Sequence, residues 1–138
     1  MLKESITYVD FNGLERTEDF RFNLTKTELT RMETGKAGSL SALLTKIVNA
    51  KDVPDILEAI EMLILKSYGE VSADGKRFDK SEKLSEDFSH TAAYDVLYEK
   101  MITDDEYAYK FLLGILPSDI AKQVEQQKGD LTSLKLPE

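Results

Sequence analysis

Residues Leu65 to Phe78 read LKSYGEVSADGKRF. An apolar run ends here and a strand-like segment begins, so this is where a helix must give way to extended chain. Gly69 stands just past the periodic residues, where helices commonly stop on a left-handed glycine, and the spacing predicts that stop. Glu70 to Ala73 and Lys76 to Asp79 then flank Asp74-Gly75, a pair suited to a tight hairpin turn. The hairpin is short and polar, so it is expected to lean on a neighbour through Val71 and Phe78. Lys76-Arg77, a basic doublet beside Phe78, admits two readings. It is a grip for a phosphate or carboxylate, or charge that guards a sheet edge; the second is preferred.

Upstream, ILEAIEMLIL is apolar at every position but Glu58 and Glu61. A surface helix keeps a polar face, so this is a central core helix or an interface helix. Asp52 and Pro54 mark its first turn. Before it, Ser39 caps a helix whose Leu40, Leu43, Leu44, Ile47 and Val48 form one stripe. Earlier still, Thr25 and Glu28 form a capping box, opening a short helix that stops at Gly35.

The N-terminal segment alternates around Asn12-Gly13, a hairpin signal. Turn length decides which residues share a face. A two-residue turn pairs Phe11 with Leu14 and puts Ser5 and Thr7 beside Phe20 and Phe22. A three-residue loop with Gly13 in a bulge pairs Asp10 with Leu14. It gathers Leu2, Ile6, Tyr8, Leu14, Phe20 and Phe22 on one side, and is preferred for that reason.

Downstream, KSEKLSEDFS predicts a short capped helix. HTAAYDVLYEKMIT puts Tyr94, Leu97, Tyr98 and Met101 on one helical face. DDEYAYKFLLGILP aligns Ala108, Phe111, Leu112 and Ile115 and ends before Pro117, after which Ser118 is expected to cap a polar helix. These elements predict a mainly α (α+β) fold. It is a compact bundle of five to six helices with an N-terminal β-hairpin and a second short hairpin near 70–79. Residues 1–128 are expected to form one domain and 129–138 a flexible tail.

The chain has 138 residues, of which 41% are hydrophobic and 32% charged, a globular composition. It has no cysteine, which excludes disulfides and thiolate metal sites. The opening MLKESITYVDF lacks the apolar stretch of a secretory signal. The longest apolar run, Met62 to Leu65, is too short to span a bilayer, so a soluble cytoplasmic protein is expected. Net charge is −8, and between Glu82 and Glu106 eight acidic residues stand against two lysines. Phosphate neutralisation needs the opposite sign, so nucleic acid is not an expected partner. The acidic stretch is a solvated face or a face for a basic partner.

Signals for chemistry are weak. His90 is the single histidine, and nothing nearby supplies a nucleophile, an orienting group and an oxyanion site. It reads as a neighbour of a helix cap. The 74–79 segment lacks the alternating ligands of a calcium loop and holds two cations, and the pairs Gly35-Lys36 and Gly75-Lys76 do not complete a phosphate loop. No catalytic residue, metal or cofactor is expected.

Three blocks together carry a resemblance: TYVDFNGLERTEDFRFNLTKTEL (7–29), LILKSYGEVSADGKRF (63–78), and FSHTAAYDVL (88–97) with FLLGILPSDIA (111–121). They are similar to the tail assembly chaperones of long, non-contractile-tailed bacteriophages, especially those of Gram-positive hosts. The resemblance implies a non-enzymatic assembly factor acting in the host cell cytoplasm, without membrane or nucleic acid. Such proteins coat the tape measure protein, are displaced by tail tube protein, and are absent from the finished virion. A homo-oligomer is expected, because an over-apolar helix and an apolar-faced hairpin leave surface to hide. The matching block offers Tyr68, Gly69, Asp74, Gly75, Lys76, Arg77 and Phe78 as partner or self-assembly contacts, each equally open to a structural role. The alternative is an acidic nucleic-acid mimic that inhibits a host DNA-binding enzyme, which 18 basic residues oppose. A small hydrolase would have His90 alone behind it.

Overall fold

The computed structural model describes residues 1–34, 53–122 and 125. In chain order these form β1 (Leu2–Val9), β2 (Glu15–Phe22), α1 (Lys26–Thr34), α2 (Val53–Ser67), β3 (Tyr68–Val71), β4 (Phe78–Asp79), α3 (Glu82–Ser89), α4 (Ala92–Thr103) and α5 (Asp105–Ile115). Helical residues resume at 118–122. The fold is α+β, with the expected N-terminal hairpin and second short hairpin. The expected stop at Gly35, the stripe from Leu40 to Val48, the Asp52 signal and the tail from residue 129 lie outside the described residues.

The first hairpin adopts the three-residue loop. Val9 pairs with Glu15, and the Asp10 amide donates to the Leu14 carbonyl at 2.8 Å. Gly13 takes φ +83°, which glycine adopts without steric cost. The Asp10 carboxylate accepts from the amides of Asn12 and Leu14, both at 2.9 Å. This register puts Leu2, Ile6, Tyr8, Phe20 and Phe22 on the face that packs inward. Leu14 shares the register but stays in solvent, because the hairpin tip outruns the helices beneath it.

The two hairpins are not separate. Arg21 pairs with Gly69 and Phe22 with Tyr68, so the strands make one antiparallel sheet in the order β1-β2-β3-β4. The second hairpin therefore leans on β2 through its backbone, and Val71, an expected contact, is exposed. Its turn is also longer than the tight two-residue form. Val71 pairs with Phe78, the Ser72 amide donates to Arg77 O, and Gly75 N closes a turn on Ser72 O at 2.9 Å. Gly75 is left-handed, with φ +76°. The Asp74 carboxylate explains the lengthening: it accepts from Ser72 Oγ at 2.6 Å and from the Lys76 amide at 3.0 Å.

Gly69 is a β3 residue whose φ is not positive, which corrects the expected left-handed stop. The helix needs no such cap because tertiary partners take its last carbonyls. Glycine is required at 69 for another reason. A Cβ there would lie 2.7 Å from the Asp79 carbonyl oxygen and 2.8 Å from the Phe78 ring.

Side-chain caps open the helices. Thr25 Oγ1 accepts from the Glu28 amide at 3.1 Å while Glu28 Oε1 accepts from the Thr25 amide at 2.9 Å, a complete capping box. Ser81, Thr91 and Asp104 cap α3, α4 and α5 through side-chain oxygens. The last helical stretch starts one residue earlier than expected: Ala121 N bonds to Pro117 O at 2.8 Å, so Ser118 lies inside it. The core gathers Ala59, Ile60, Leu63 and Ile64 of α2 with Phe22, Leu97, Met101 and Phe111. Phe88 of α3 joins the sheet to this core, stacked on Tyr68 at 4.2 Å and set against Phe20 at 5.2 Å.

Gly69→Ala is expected to destabilise the fold by about 1–3 kcal/mol, the cost of overpacking a closed site. Gly69→Asn should be worse, although asparagine suits a left-handed cap. Denaturant midpoints measure both; an asparagine variant more stable than the alanine variant would overturn the close-approach account.

Candidate functional site

The sequence-proposed contacts separate in space. Tyr68 lines an open groove of about 700 Å³ between α2 and α3. Phe78 covers Gly69 and lies 5.7 Å from the Lys80 ammonium. Lys76 and Arg77 sit in the exposed turn, where Arg77 pairs with Asp79 at 3.2 Å. The structure therefore brings the basic doublet to its own hairpin rather than to the groove. His90 follows the end of α3, exposed, its amide bonded to Asp87 O. All eight acidic residues from Glu82 to Glu106 are exposed.

The groove has an apolar floor of Met62, Leu65 and Tyr68, all half-buried. Burial, then the charges of Glu70 and Glu18, push the Tyr68 hydroxyl above its ordinary pKa, so it is a neutral phenol at the floor. Glutamates from both helices form the rim: Glu58 and Glu61 on α2, Glu82 and Glu86 on α3. The α2 pattern explains the arrangement. Its 59, 60, 63 and 64 positions face the core, which leaves 58, 61, 62 and 65 along one flank.

Lys80 closes one end. Its ammonium donates to the Asn23 carbonyl at 2.5 Å, Glu28 Oε2 at 2.7 Å and the Lys66 carbonyl at 3.0 Å. Burial lowers its pKa, partly offset by Glu28. Burial alone would raise the Glu28 pKa, but the hydrogen bonds from Lys80 and Thr25 outweigh it and hold the carboxyl below 4.5. Sequence reading missed Lys80; its only signal was a lysine directly after a two-residue strand.

A larger depression of about 870 Å³ lies between Leu24, Leu113, Leu116 and Pro117. Its charges, Lys110, Lys122 and Glu125, are of both signs, so it selects a partner less sharply than the glutamate-rimmed groove. A third apolar exposure is the hairpin tip, where Val9, Phe11 and Leu14 are 57%, 83% and 58% exposed. Among the described residues no group of His, Cys, Asp and Glu is arranged to hold a metal ion, and no helix is long and apolar enough to cross a membrane.

The family model for phage tail assembly chaperones matches residues 1–137. The chain belongs to the phage tail assembly chaperone family. No match to the chain was found among curated proteins or solved structures. Membership agrees with the resemblance carried by the three sequence blocks and favours an assembly factor over the nucleic-acid mimic. A tail assembly chaperone has a non-enzymatic role and interacts with tail proteins. In this chaperone, the features suited to such contacts are the groove and the hairpin tip.

Lys80→Met is expected to destabilise the chaperone by about 1–3 kcal/mol, because it takes a partner from a half-buried carboxylate and from two carbonyls. The Glu28 contribution has a definite pH sign. Its folded pKa lies below the unfolded value, so the stabilisation is full above about pH 4.5 and is lost as pH falls through the folded pKa. Urea midpoints across that range should fall less steeply for Glu28→Gln than for the parent chain. Equal slopes would mean that the pair does not govern acid unfolding.

Proposed function

We propose that this chaperone binds the tape measure protein and keeps it soluble until the tail tube forms, and that it helps recruit tail tube subunits. On this reading it acts in the host cytoplasm as a homo-oligomer and is left out of the mature virion. The observation that carries the proposal is the groove between α2 and α3, with Met62, Leu65 and Tyr68 on its floor and glutamates on its rim. A coat for an aggregation-prone chain needs apolar surface to engage the client and charge to keep the complex in solution. Here Glu58 and Glu61 sit within a turn of Met62 and Leu65 on α2, and Glu82 and Glu86 rim the groove from α3. The exposed tip residues Phe11 and Leu14 supply a separate apolar contact, suited to a second copy or to a tube subunit.

The test is co-expression with the tape measure protein of the same phage. The parent chain should raise the soluble tape measure fraction several-fold. Met62→Gln combined with Leu65→Gln should abolish most of that gain while leaving the circular dichroism spectrum unchanged, since both side chains are already half in solvent. A tape measure protein that is equally soluble with the double variant, or with no chaperone at all, would overturn the proposal.

A further inference from the structure

The two long walls of the groove have matched spacing. Glu58, Glu61, Met62 and Leu65 of α2 fall at i, i+3, i+4 and i+7, and so do Glu82, Ser85, Glu86 and Ser89 of α3. Each wall is therefore one stripe about two turns long, roughly 11 Å. Two such stripes either side of an apolar floor make the seat of a third helix, read by anchors at the same spacing. The α3 wall is low, because its inner residues are serines whose hydroxyls are already used. Ser85 Oγ donates to the Leu65 carbonyl at 2.9 Å and Ser89 Oγ to the Glu86 carbonyl at 2.6 Å. Neither asks a ligand for a hydrogen bond.

The charge on the walls is one-sided. Glu58, Glu61, Glu82 and Glu86 are exposed, and among the described residues none of the four forms an ion pair. Five glutamates and two lysines line the groove, but Lys80 is held by Glu28, which leaves four glutamates facing Lys66. The negative charge lies on both sides of the floor, two carboxylates on each helix.

We infer that the groove takes an amphipathic helix of a partner protein whose apolar stripe is flanked on both sides by Lys or Arg. Its apolar residues at i, i+3 or i+4, and i+7 lie on Met62, Leu65 and Tyr68. Cations on one flank meet Glu58 and Glu61, and cations on the other meet Glu82 and Glu86. Unlike charges opposed across a partly solvated rim favour the right partner and raise its association rate, and a helix with acidic flanks is rejected. This inference rests on the groove being the client site and adds the chemistry of the segment it selects.

The test uses labelled synthetic helices with one leucine stripe and flanks of all Lys, all Gln or all Glu, measured by fluorescence anisotropy against the full chain. The Lys helix should bind at least tenfold more tightly than the Gln helix and the Glu helix more weakly than either. Added salt should shrink the Lys advantage. Glu58→Gln, Glu61→Gln, Glu82→Gln and Glu86→Gln together should remove it, so that the Lys and Gln helices bind alike. Neutralising Asp95, Glu99, Asp105 and Glu106 instead makes the same change in net charge away from the groove and should leave the preference intact. Equal binding of Lys and Gln helices, or equal effects of the two neutralised sets, would overturn the inference. If that happens while tape measure solubility still depends on Met62 and Leu65, the client site survives without its charge selectivity. If the Lys preference holds while tape measure protein stays insoluble, the selectivity survives and the client assignment fails.

Discussion

The Lys80 ammonium is the point on which the rest of the structure depends. It joins the carbonyl where β2 ends, the last turn of α2 and the capping glutamate of α1. The helix α2 runs directly into β3, so its closing carbonyls need partners from elsewhere in the chain. Ser85 reaches Leu65 O, Lys80 reaches Lys66 O, and the Asn23 amide reaches Ser67 O at 2.8 Å. The Ser67 hydroxyl, fully buried, turns back to Leu63 O at 2.6 Å. These contacts fix β3 beside β2 and α3 beside α2 together. The sheet register and the groove walls are thus two results of closing one helix end. Replacing a single partner leaves a carbonyl or a half-buried carboxylate short of a hydrogen bond at this junction.

Local features of the fold were legible in the sequence wherever they depend on neighbours along the chain. The capping box of Thr25 and Glu28, the hairpin register set by Asp10 to Leu14, and the capped start of the KSEKLSEDFS helix at Ser81 are all satisfied within a few residues. Gly69 shows where that legibility ends. Glycine after an apolar run suits a left-handed cap, but it also suits close approach by a neighbouring strand, and only the tertiary position of Phe78 and Asp79 separates the two. The fusion of the hairpins into one sheet was hidden for the same reason. Its bridging pairs, Arg21 with Gly69 and Phe22 with Tyr68, join residues far apart in sequence and carry no pattern of their own. At the candidate site, the proposed contacts part company: Tyr68 lies in the groove while Lys76 and Arg77 lie in the exposed turn, a separation hidden in sequence because a basic doublet in a turn looks the same whether it meets a partner or water.

The apolar character of α2 resolves into two roles on one helix. A core helix and an interface helix were alternatives in sequence; the structure gives a core helix with one flank left open. Ala59, Ile60, Leu63 and Ile64 are buried, while Met62 and Leu65 stay half in solvent, because α3 lines the groove beside them with serines at 85 and 89. Had larger side chains stood at 85 and 89, α3 would fill the space and the groove would be core. The openness of the site is therefore set by side-chain size on α3 as much as by hydrophobicity on α2.

That geometry also limits how tightly one groove can hold a segment. Fully burying a large apolar side chain contributes about 1.5–3 kcal/mol, and the three floor residues are already half-buried. Completing their burial then contributes on the order of 2–4 kcal/mol, below the 4–15 kcal/mol that association costs in lost freedom. The client side chains and the rim charges must supply the rest. On the proposed reading, a weak single contact suits a factor that later gives up its client, provided many copies act along one long chain. Successive grooves on a shared client would raise the effective concentration of each for the next, so that a coat would be held as a whole while any one groove exchanged. The same arithmetic assigns the exposed hairpin tip its most useful place. Apolar contact between neighbouring copies through Phe11 and Leu14 would supply the linkage that turns weak grooves into a stable coat, without deepening any single one.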